Sequence, residues 1–295
     1  MLPMLRINSK GKSLKVKSSE NLSFNVMSEP KSSDRILLVV AHPDDEWLSC
    51  SGYLQRAVLN GAQLKIIVVT LGEWSAAYSY LDSGRLKSFF ASLGAKRAKE
   101  TLSALKLVGG IKENTIFCGF PSGNLHLLFK KNWAEPVFVN YLKSDKVIFD
   151  FVKEPGVAFS GKELSRILRH SILDFEPTAI ITHGIIDTHK DHRTIYWLVK
   201  DYLGELENKI KTYFFLVHYR GFSFSSKNSL NHKLSPPKRF IGSGFLWYSF
   251  ELNKQEQKIK NKGMLKYKTQ LKNPYLNILL RSFCKGNELF YQEKQ

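Results

Sequence analysis

The chain alternates short apolar runs with longer segments of helical composition. The apolar runs are continuous, which is typical of strands buried on both faces of a parallel sheet. The predicted strands are RILLVV (35–40), QLKIIVVT (63–70), TIFCGF (115–120), TAIITH (178–183) and TYFFLVHY (212–219). The predicted helices cover residues 46–60, 85–107, 162–175, 191–207 and 253–272. This order predicts an α/β fold, Rossmann-like, with a mostly parallel sheet and helices on both faces.

The first 34 residues differ in composition from the rest of the chain. Residues 1–34 are rich in Ser and Lys and contain no long apolar run. We therefore expect a poorly ordered basic leader there, followed by one α/β domain over residues 35–295 with a basic C-terminal extension. Hydrophobic residues make up 43% of the sequence, enough for a large buried core.

Polar residues that can carry chemistry follow four of the predicted strands. They lie in AHPDDE (41–46), TLGE (70–73), GFPSG (119–123) and GIIDTHKDHR (184–193). Ligands of open parallel sheets bind beyond the carboxyl ends of the strands. The sequence therefore predicts a site where these loops meet, with walls from residues 74–84, from residues 121–160 and from the basic tail.

The AHPDDE loop places His42, Asp44 and Asp45 between a strand and a helix. Carboxylates in the first turn of a helix are stabilised by its dipole, so helix capping by the two acids is one interpretation. Capping leaves the histidine unexplained. Imidazole and carboxylate are both good zinc ligands, so a metal site is the other interpretation.

A second cluster, His189, Asp191 and His192, follows another predicted strand. Taken alone, it is also compatible with a polar surface cluster that has no function. A catalytic zinc takes three protein ligands and leaves one position open. The two clusters together supply three ligands, with an acid to spare as a base and a histidine to spare for the substrate carbonyl.

AHPDDE followed much later by HxDH resembles the PIG-L/LmbE-type zinc-dependent N-acetylglucosaminyl deacetylase family. The resemblance spans about residues 35–200 and includes the RxxE of Arg97 and Glu100, the TxGE of residues 70–73 and the FPxG of residues 120–123. It implies a metal-dependent hydrolase that removes the N-acetyl group from an N-acetylglucosamine-type amino sugar or glycoconjugate and releases acetate.

The resemblance also implies roles for individual residues. The zinc ligands (Zn²⁺ or a replaceable divalent metal) are then His42, Asp45 and His192. Asp44 is the general base, His189 stabilises the oxyanion or protonates the leaving amine, and Asp191 orients His189. Arg97 and Ser122 lie at the substrate.

The sequence departs from the family pattern at two positions. Lys190 stands where the family usually has proline, which removes no ligand. Ser122 stands where the family usually has an aspartate that contacts a sugar hydroxyl, so the identity of the sugar stays open.

Two alternative functions remain at this point. One is another zinc-dependent hydrolase of the phosphoesterase kind, although two-metal phosphoesterases need more carboxylate ligands than these loops provide. The other is a catalytically impaired sugar-binding member of the family, against which the intact Asp44 and His189 argue.

The net charge is +18, and most of the excess lies in the last third of the chain. Residues 209–295 contain 17 basic and four acidic residues. One interpretation is a solvated surface; the other is attraction to an anionic partner, such as a membrane surface, a phosphate-bearing glycolipid or a nucleotide sugar. No nucleic-acid-binding motif is visible, so we do not expect nucleic acid as a partner.

Cysteine usage and hydropathy indicate the cellular setting. Cys50, Cys118 and Cys284 share no CxxC spacing, and no stretch approaches the ~20 apolar residues of a membrane span. We expect a cytoplasmic protein, with peripheral contact to the inner membrane face as an extension of its basic tail.

Overall fold

The described strands all join one sheet. The structure, a computed structural model, describes residues 24–74, 83–109, 112–130, 133–205, 210–223 and 232–294. Its strands are β1 (Asn25–Val26), β2 (Arg35–Val40), β3 (Gln63–Thr70), β4 (Thr115–Phe120), β5 (Ala179–His183), β6 (Lys211–Phe215), β7 (Phe245–Glu251) and β8 (Asn287–Glu293). They lie in the order β1-β7-β8-β6-β5-β2-β3-β4. Only β8 runs antiparallel to its neighbours among these strands. The predicted α/β class with a mostly parallel sheet is confirmed.

The helices fall into two groups. They are α1 (Asp45–Leu59), α2 (Ser83–Leu105), α3 (Leu125–Lys130), α4 (Gly161–Phe175), α5 (Lys190–Glu205), α6 (Lys254–Met264), α7 (Lys268–Leu271) and α8 (Pro274–Ser282). The connections β2-α1-β3 and β3-α2-β4 advance along the sheet in one direction, while β5-α5-β6 advances in the other. Because such crossovers are right-handed, the two sets of helices cover opposite faces. The packing agrees: α6 contacts α1 and α2, whereas α5 contacts α3 and α4.

The reversal of direction falls between β2 and β5, which are neighbours in the sheet. The loops that follow these two strands leave toward opposite faces and open a crevice at the carboxyl edge, where ligands bind in such sheets. The loop after β2 is AHPDDE and the loop after β5 is GIIDTHKDHR. The topology therefore brings the two predicted clusters together.

Three parts of the fold differ from the sequence prediction. Residues 24–34 are ordered, because β1 pairs with β7 and Met27 is buried, whereas residues 1–23 of the predicted leader lie outside the described residues. The strand predicted over 212–219 ends at Phe215, because the N–H groups of Val217 and His218 donate to Asp187 instead of to a strand. The single helix predicted over 253–272 is two helices, α6 and α7.

The tail beyond residue 273 returns to the sheet. It forms α8 and then β8, which inserts between β6 and β7. None of the described helices is both long enough and apolar enough to cross a membrane.

Candidate metal centre and active site

Three side-chain atoms from the two loops meet at the crevice. His42 Nδ1 lies 3.1 Å from His192 Nε2, and each of these nitrogens lies 3.3 Å from Asp45 Oδ2. Two ligands of a tetrahedral zinc with bonds of about 2.0–2.1 Å are separated by about 3.3 Å. All three residues are buried. The triangle therefore has the dimensions of a tetrahedral metal site, and the donor set fits a divalent metal.

The outer ring nitrogens of both histidines face carboxylates. His42 Nε2 lies 3.1 Å from Asp191 Oδ2, and His192 Nδ1 lies 3.0 Å from Asp187 Oδ2. A carboxylate at one ring nitrogen holds the proton there and leaves the lone pair of the other nitrogen for a metal. Both lone pairs then point into the triangle.

The charges around the triangle favour a cation. Burial alone would lower the pKa of His192, but Asp45 and Asp187 raise it to about 10. Burial likewise acts against ionisation of Asp45, yet His192 and His183 hold the pKa of Asp45 well below its usual range. Without metal the site thus holds protons among buried carboxylates, and a metal ion displaces them as it binds.

His183 and His189 flank the triangle. His183 Nε2 lies 3.3 Å from Asp45 Oδ2, but it accepts a hydrogen bond from the N–H of Ala41, which occupies its lone pair. His189 has a donor atom within 4.8 Å of donors on His42 and His192. The three mutually close atoms of His42, Asp45 and His192 are therefore the best-placed ligand set.

Asp44 lies beside the triangle with a strained backbone. Its φ is 110°, a conformation that costs a non-glycine residue about 1–3 kcal/mol. Arg97 Nη2 lies 3.0 Å from Asp44 Oδ2 and also donates to the carbonyl of Pro43. Burial raises the pKa of Asp44 to about 7, against the opposing charge of Arg97. Asp44 makes no side-chain cap to its helix, so capping does not explain this acid.

Glu46 and Tyr267 hold the backbone of Asp44. The N–H of Asp44 donates to Glu46 Oε2 at 3.0 Å, and the hydroxyl of Tyr267 donates to Glu46 Oε1 at 2.6 Å. Glu46 and Tyr267 are fully buried. The C-terminal segment thus supports the loop that carries the predicted base.

His189 is held as a hydrogen-bond donor. Its Nδ1 accepts the N–H of Asp191 at 3.2 Å, which leaves the proton on Nε2. Burial, followed by the charges of His192 and His42, lowers the pKa of His189 to about 2, so the ring is neutral.

The contacts of Asp191 differ from the sequence prediction, in which this acid orients His189. Its carboxylate contacts His42 and accepts the N–H groups of Gly123 and Leu125, because the first turn of α5 faces that loop. Only its backbone touches His189.

A cavity of about 280 Å³ opens onto these groups. Asp44, Arg97, Ser122 and His189 line it. Trp74, Gly123, Thr269 and Gln270 add parts of the predicted walls, whereas residues 75–82 of the predicted loop lie outside the described residues. Leu276, Leu279 and Leu280 of α8 form an apolar wall that the sequence did not indicate.

Ser122 is fixed through its backbone. Its N–H donates to Glu73 Oε1 at 2.9 Å, and its carbonyl accepts the hydroxyl of Tyr141 at 2.8 Å. Glu73 belongs to the TLGE segment and is fully buried. The loop after β3 therefore helps to hold Ser122 at the cavity.

Four residues that the structure adds to the site were not predicted from the sequence. They are Asp187, His183, His218 and Tyr267. His183 is the last residue of β5, and Asp187 lies in the loop after it. Their position at the carboxyl end of a predicted strand was a signal that could have found them. His218 lines the cavity beyond β6, and Tyr267 gave no sequence signal.

Comparison with protein-family models matches residues 37–203 to PIG-L, described as GlcNAc-PI de-N-acetylase. The chain belongs to this family. The matched range includes both clusters and ends near the C-terminus of α5, so the tail from β6 onward lies outside it.

Known relatives match a part of the chain. A 1D-myo-inositol 2-acetamido-2-deoxy-alpha-D-glucopyranoside deacetylase of Rhodococcus erythropolis is 35% identical over 78 residues, which is 26% of this chain and 26% of that relative. The chain thus spans about a quarter of the length of this relative.

Solved structures resemble the whole fold. The A40926 pseudoaglycone deacetylase has a TM-score of 0.55 at 15% identity, with 89% of this chain and 98% of that chain covered. The N,N'-diacetylchitobiose deacetylase from Pyrococcus horikoshii has a TM-score of 0.51 at 14% identity, with 93% and 89% covered. At these identities the likeness establishes the fold.

Proposed function

We propose that the protein is a zinc-dependent N-deacetylase that removes the acetyl group from an N-acetylated amino sugar. The observation that carries this proposal is the triangle of His42 Nδ1, Asp45 Oδ2 and His192 Nε2, with a buried carboxylate beside it. Both lie at a cavity large enough to admit a sugar unit. Zinc is the metal proposed because mixed imidazole and carboxylate ligands in a tetrahedral arrangement suit it.

The reaction adds water across the acetamide bond. When bound, a divalent metal polarises the carbonyl oxygen and makes a water molecule more acidic. Asp44 accepts the proton of the attacking water, and Arg97 holds the carboxylate that does so. Burial raises the pKa of Asp44 in the metal-free chain, and a general base works best when its pKa lies near the working pH.

His189 assists at the carbonyl and at the leaving nitrogen. Its neutral ring lines the cavity and carries its proton on Nε2, and this N–H stabilises the negative charge that develops on the oxygen. The C–N bond then breaks, and the proton taken up by Asp44 passes to the nitrogen. The products are acetate and a free amine.

The substrate class follows from the family and its relatives. The R. erythropolis relative, the A40926 pseudoaglycone deacetylase and the chitobiose deacetylase are named for deacetylation, two of them of acetamido sugars. The donor triangle, the base and His189 occur together in this chain, which supports the same reaction on an N-acetylated sugar or glycolipid. Ser122, which stands where the family usually has an acid, changes the polar lining of the wall that meets the sugar.

The test is acetate release. Zinc-loaded protein is incubated with N-acetylglucosamine, its glycosides and its phosphates, and acetate and free amine are quantified together. We expect equal amounts of both products, loss of activity on chelation and recovery on adding zinc. Release of phosphate without acetate, or no product from any N-acetylated sugar, would contradict the proposal.

A further inference from the structure

A second cavity, of about 410 Å³, is strongly basic. Its basic lining residues are Arg220, Lys233, Lys238, Arg239 and Lys285, and no acidic side chain lines it in the described part of the chain. We call it the basic cavity. Such a concentration of positive charge attracts an anion and raises its local concentration.

Three of these basic groups have no ion pair with another described residue. Lys233 pairs with Glu251 at 2.8 Å. Arg220, Lys238 and Arg239 are exposed, and no ion pair with another described residue holds them. Guanidinium groups bind phosphate oxygens through paired hydrogen bonds, which makes phosphate the anion that this set fits best.

The basic cavity adjoins the cavity of about 280 Å³ beside His42 and Asp45, which we call the metal cavity. His218 lines the metal cavity and the next residue, Tyr219, lines the basic cavity; consecutive Cα atoms are about 3.8 Å apart. The segment 280–285 also contributes to both cavities: Leu280 lines the metal cavity, and Lys285 lines the basic cavity. The two cavities therefore share these two segments as walls, which brings the basic groups close to the cavity that holds the predicted catalytic residues.

We propose that the basic cavity binds a phosphate group carried by the same molecule whose acetamido sugar enters the metal cavity. The substrate class is then a phosphorylated or diphosphate-linked N-acetylated amino sugar. The link to the sugar rests on the proposed deacetylase function, whereas phosphate binding rests on the basic cavity alone. The family match ends at residue 203, so the residues of this cavity lie outside it.

Titration calorimetry on the zinc-loaded full chain tests the inference. The probes are N-acetylglucosamine 1-phosphate and uncharged N-acetylglucosamine. The test variant is Arg220→Gln with Arg239→Gln. The matched control is Lys254→Gln with Lys258→Gln, which removes the same charge from exposed positions of α6.

We expect the parent to bind the phosphate sugar at least about 10-fold tighter than the uncharged sugar, since hydrogen bonds to charged groups contribute that much or more. The test variant should lose about 10-fold in affinity for the phosphate sugar and none for the uncharged sugar. The control variant should bind both sugars with the affinity of the parent. Equal binding of the two sugars by the parent, or equal losses in variant and control, would overturn the inference.

A second arm separates the sources of the phosphate. Sedimentation with phosphatidylcholine vesicles, with and without phosphatidylinositol, is measured for the same variants. Binding that needs phosphatidylinositol and Arg220 with Arg239 supports a lipid-borne phosphate, and binding of the free sugar phosphate alone supports a soluble one.

The outcome is separable from deacetylation. Asp44→Asn should keep the difference in affinity between the phosphate sugar and the uncharged sugar, because Asp44 does not line the basic cavity. If no acetate is ever released but binding still depends on Arg220 and Arg239, the basic cavity stands and the deacetylase proposal falls. If acetate is released but the charge changes have no specific effect on binding, the deacetylase proposal stands and the phosphate-binding proposal falls.

Discussion

Asp187 Oδ2 lies 3.0 Å from His192 Nδ1, on the side of the imidazole away from the metal triangle. The same oxygen accepts the N–H groups of Val217 and His218, and Oδ1 accepts the N–H of His189. One buried carboxylate therefore orients a predicted ligand and ties together the loops after β5 and β6. Burial alone would raise the pKa of Asp187, but His192 above all, together with His218 and His183, holds it well below its usual range.

The change Asp187→Asn should weaken metal binding. Loss of a carboxylate that orients a metal-bound histidine typically costs about 10–100-fold in metal affinity or activity. Zinc affinity is measured by competition with a chromophoric chelator, and circular dichroism checks that the variant is folded. Asp201→Asn, at an exposed position of α5, the helix that carries His192, is the control. Equal zinc affinity in the two variants would remove Asp187 from the centre.

The change Asp44→Asn should abolish most activity and leave the metal in place. The amide keeps the shape and the contact with Arg97 but cannot accept a proton. General bases contribute typically about 10²–10⁴-fold, so kcat for acetate release should fall by that factor. Zinc content is determined on the same sample. An unchanged kcat would show that another group takes the proton.

Activity should fall as the pH is lowered below neutrality. Burial raises the pKa of Asp44 to about 7 in the metal-free chain, and only its carboxylate form accepts a proton. A dication nearby favours the carboxylate, so the acid limb of the zinc-loaded protein should lie below pH ~7. The measurement is kcat against pH with zinc content determined at each point. A kcat that rises toward acid pH at full zinc content would contradict the role of Asp44.

The change Tyr267→Phe should reduce both stability and turnover. It removes the hydroxyl that donates to Glu46, and Glu46 in turn holds the N–H of Asp44. A buried acceptor left without its donor costs about 1–3 kcal/mol in the free energy of unfolding. Urea unfolding and kcat are compared with those of Tyr275→Phe, whose side chain is 62% exposed. If the two variants behave alike, the C-terminal segment does not support the loop.

The pattern of the chain predicted the central part of the fold. Continuous apolar runs specified β2, β3, β4 and β5, because burial on both faces demands apolar residues at successive positions. The position of the site followed as well, since polar loops after parallel strands must meet at one edge.

The tail was harder to predict. β8 contains Asn287 and Glu288, which are polar but fully buried, so its sequence does not look like a central strand. Glu288 is satisfied by Lys260 Nζ at 2.6 Å and by backbone N–H groups of α1, partners that lie far away in sequence. Such long-range pairing leaves no local signal.

Part of the site could be predicted and part could not. The two clusters supplied the residues of the metal triangle, but nothing in the spacing distinguishes which carboxylate faces which imidazole. Asp191 is two residues from His189, yet its side chain contacts His42 from another strand loop. The partner is decided by the direction of the first turn of α5, which only the tertiary structure reveals.

The most direct measurement is anomalous diffraction at the zinc absorption edge from crystals of the zinc-loaded protein. We expect a single peak at the two strand loops, about 2.0–2.2 Å from each of His42 Nδ1, Asp45 Oδ2 and His192 Nε2. A peak bonded to His183 in place of His42, a peak on the Nε2 side of His42, or no peak at this cluster would contradict the assignment of the metal centre.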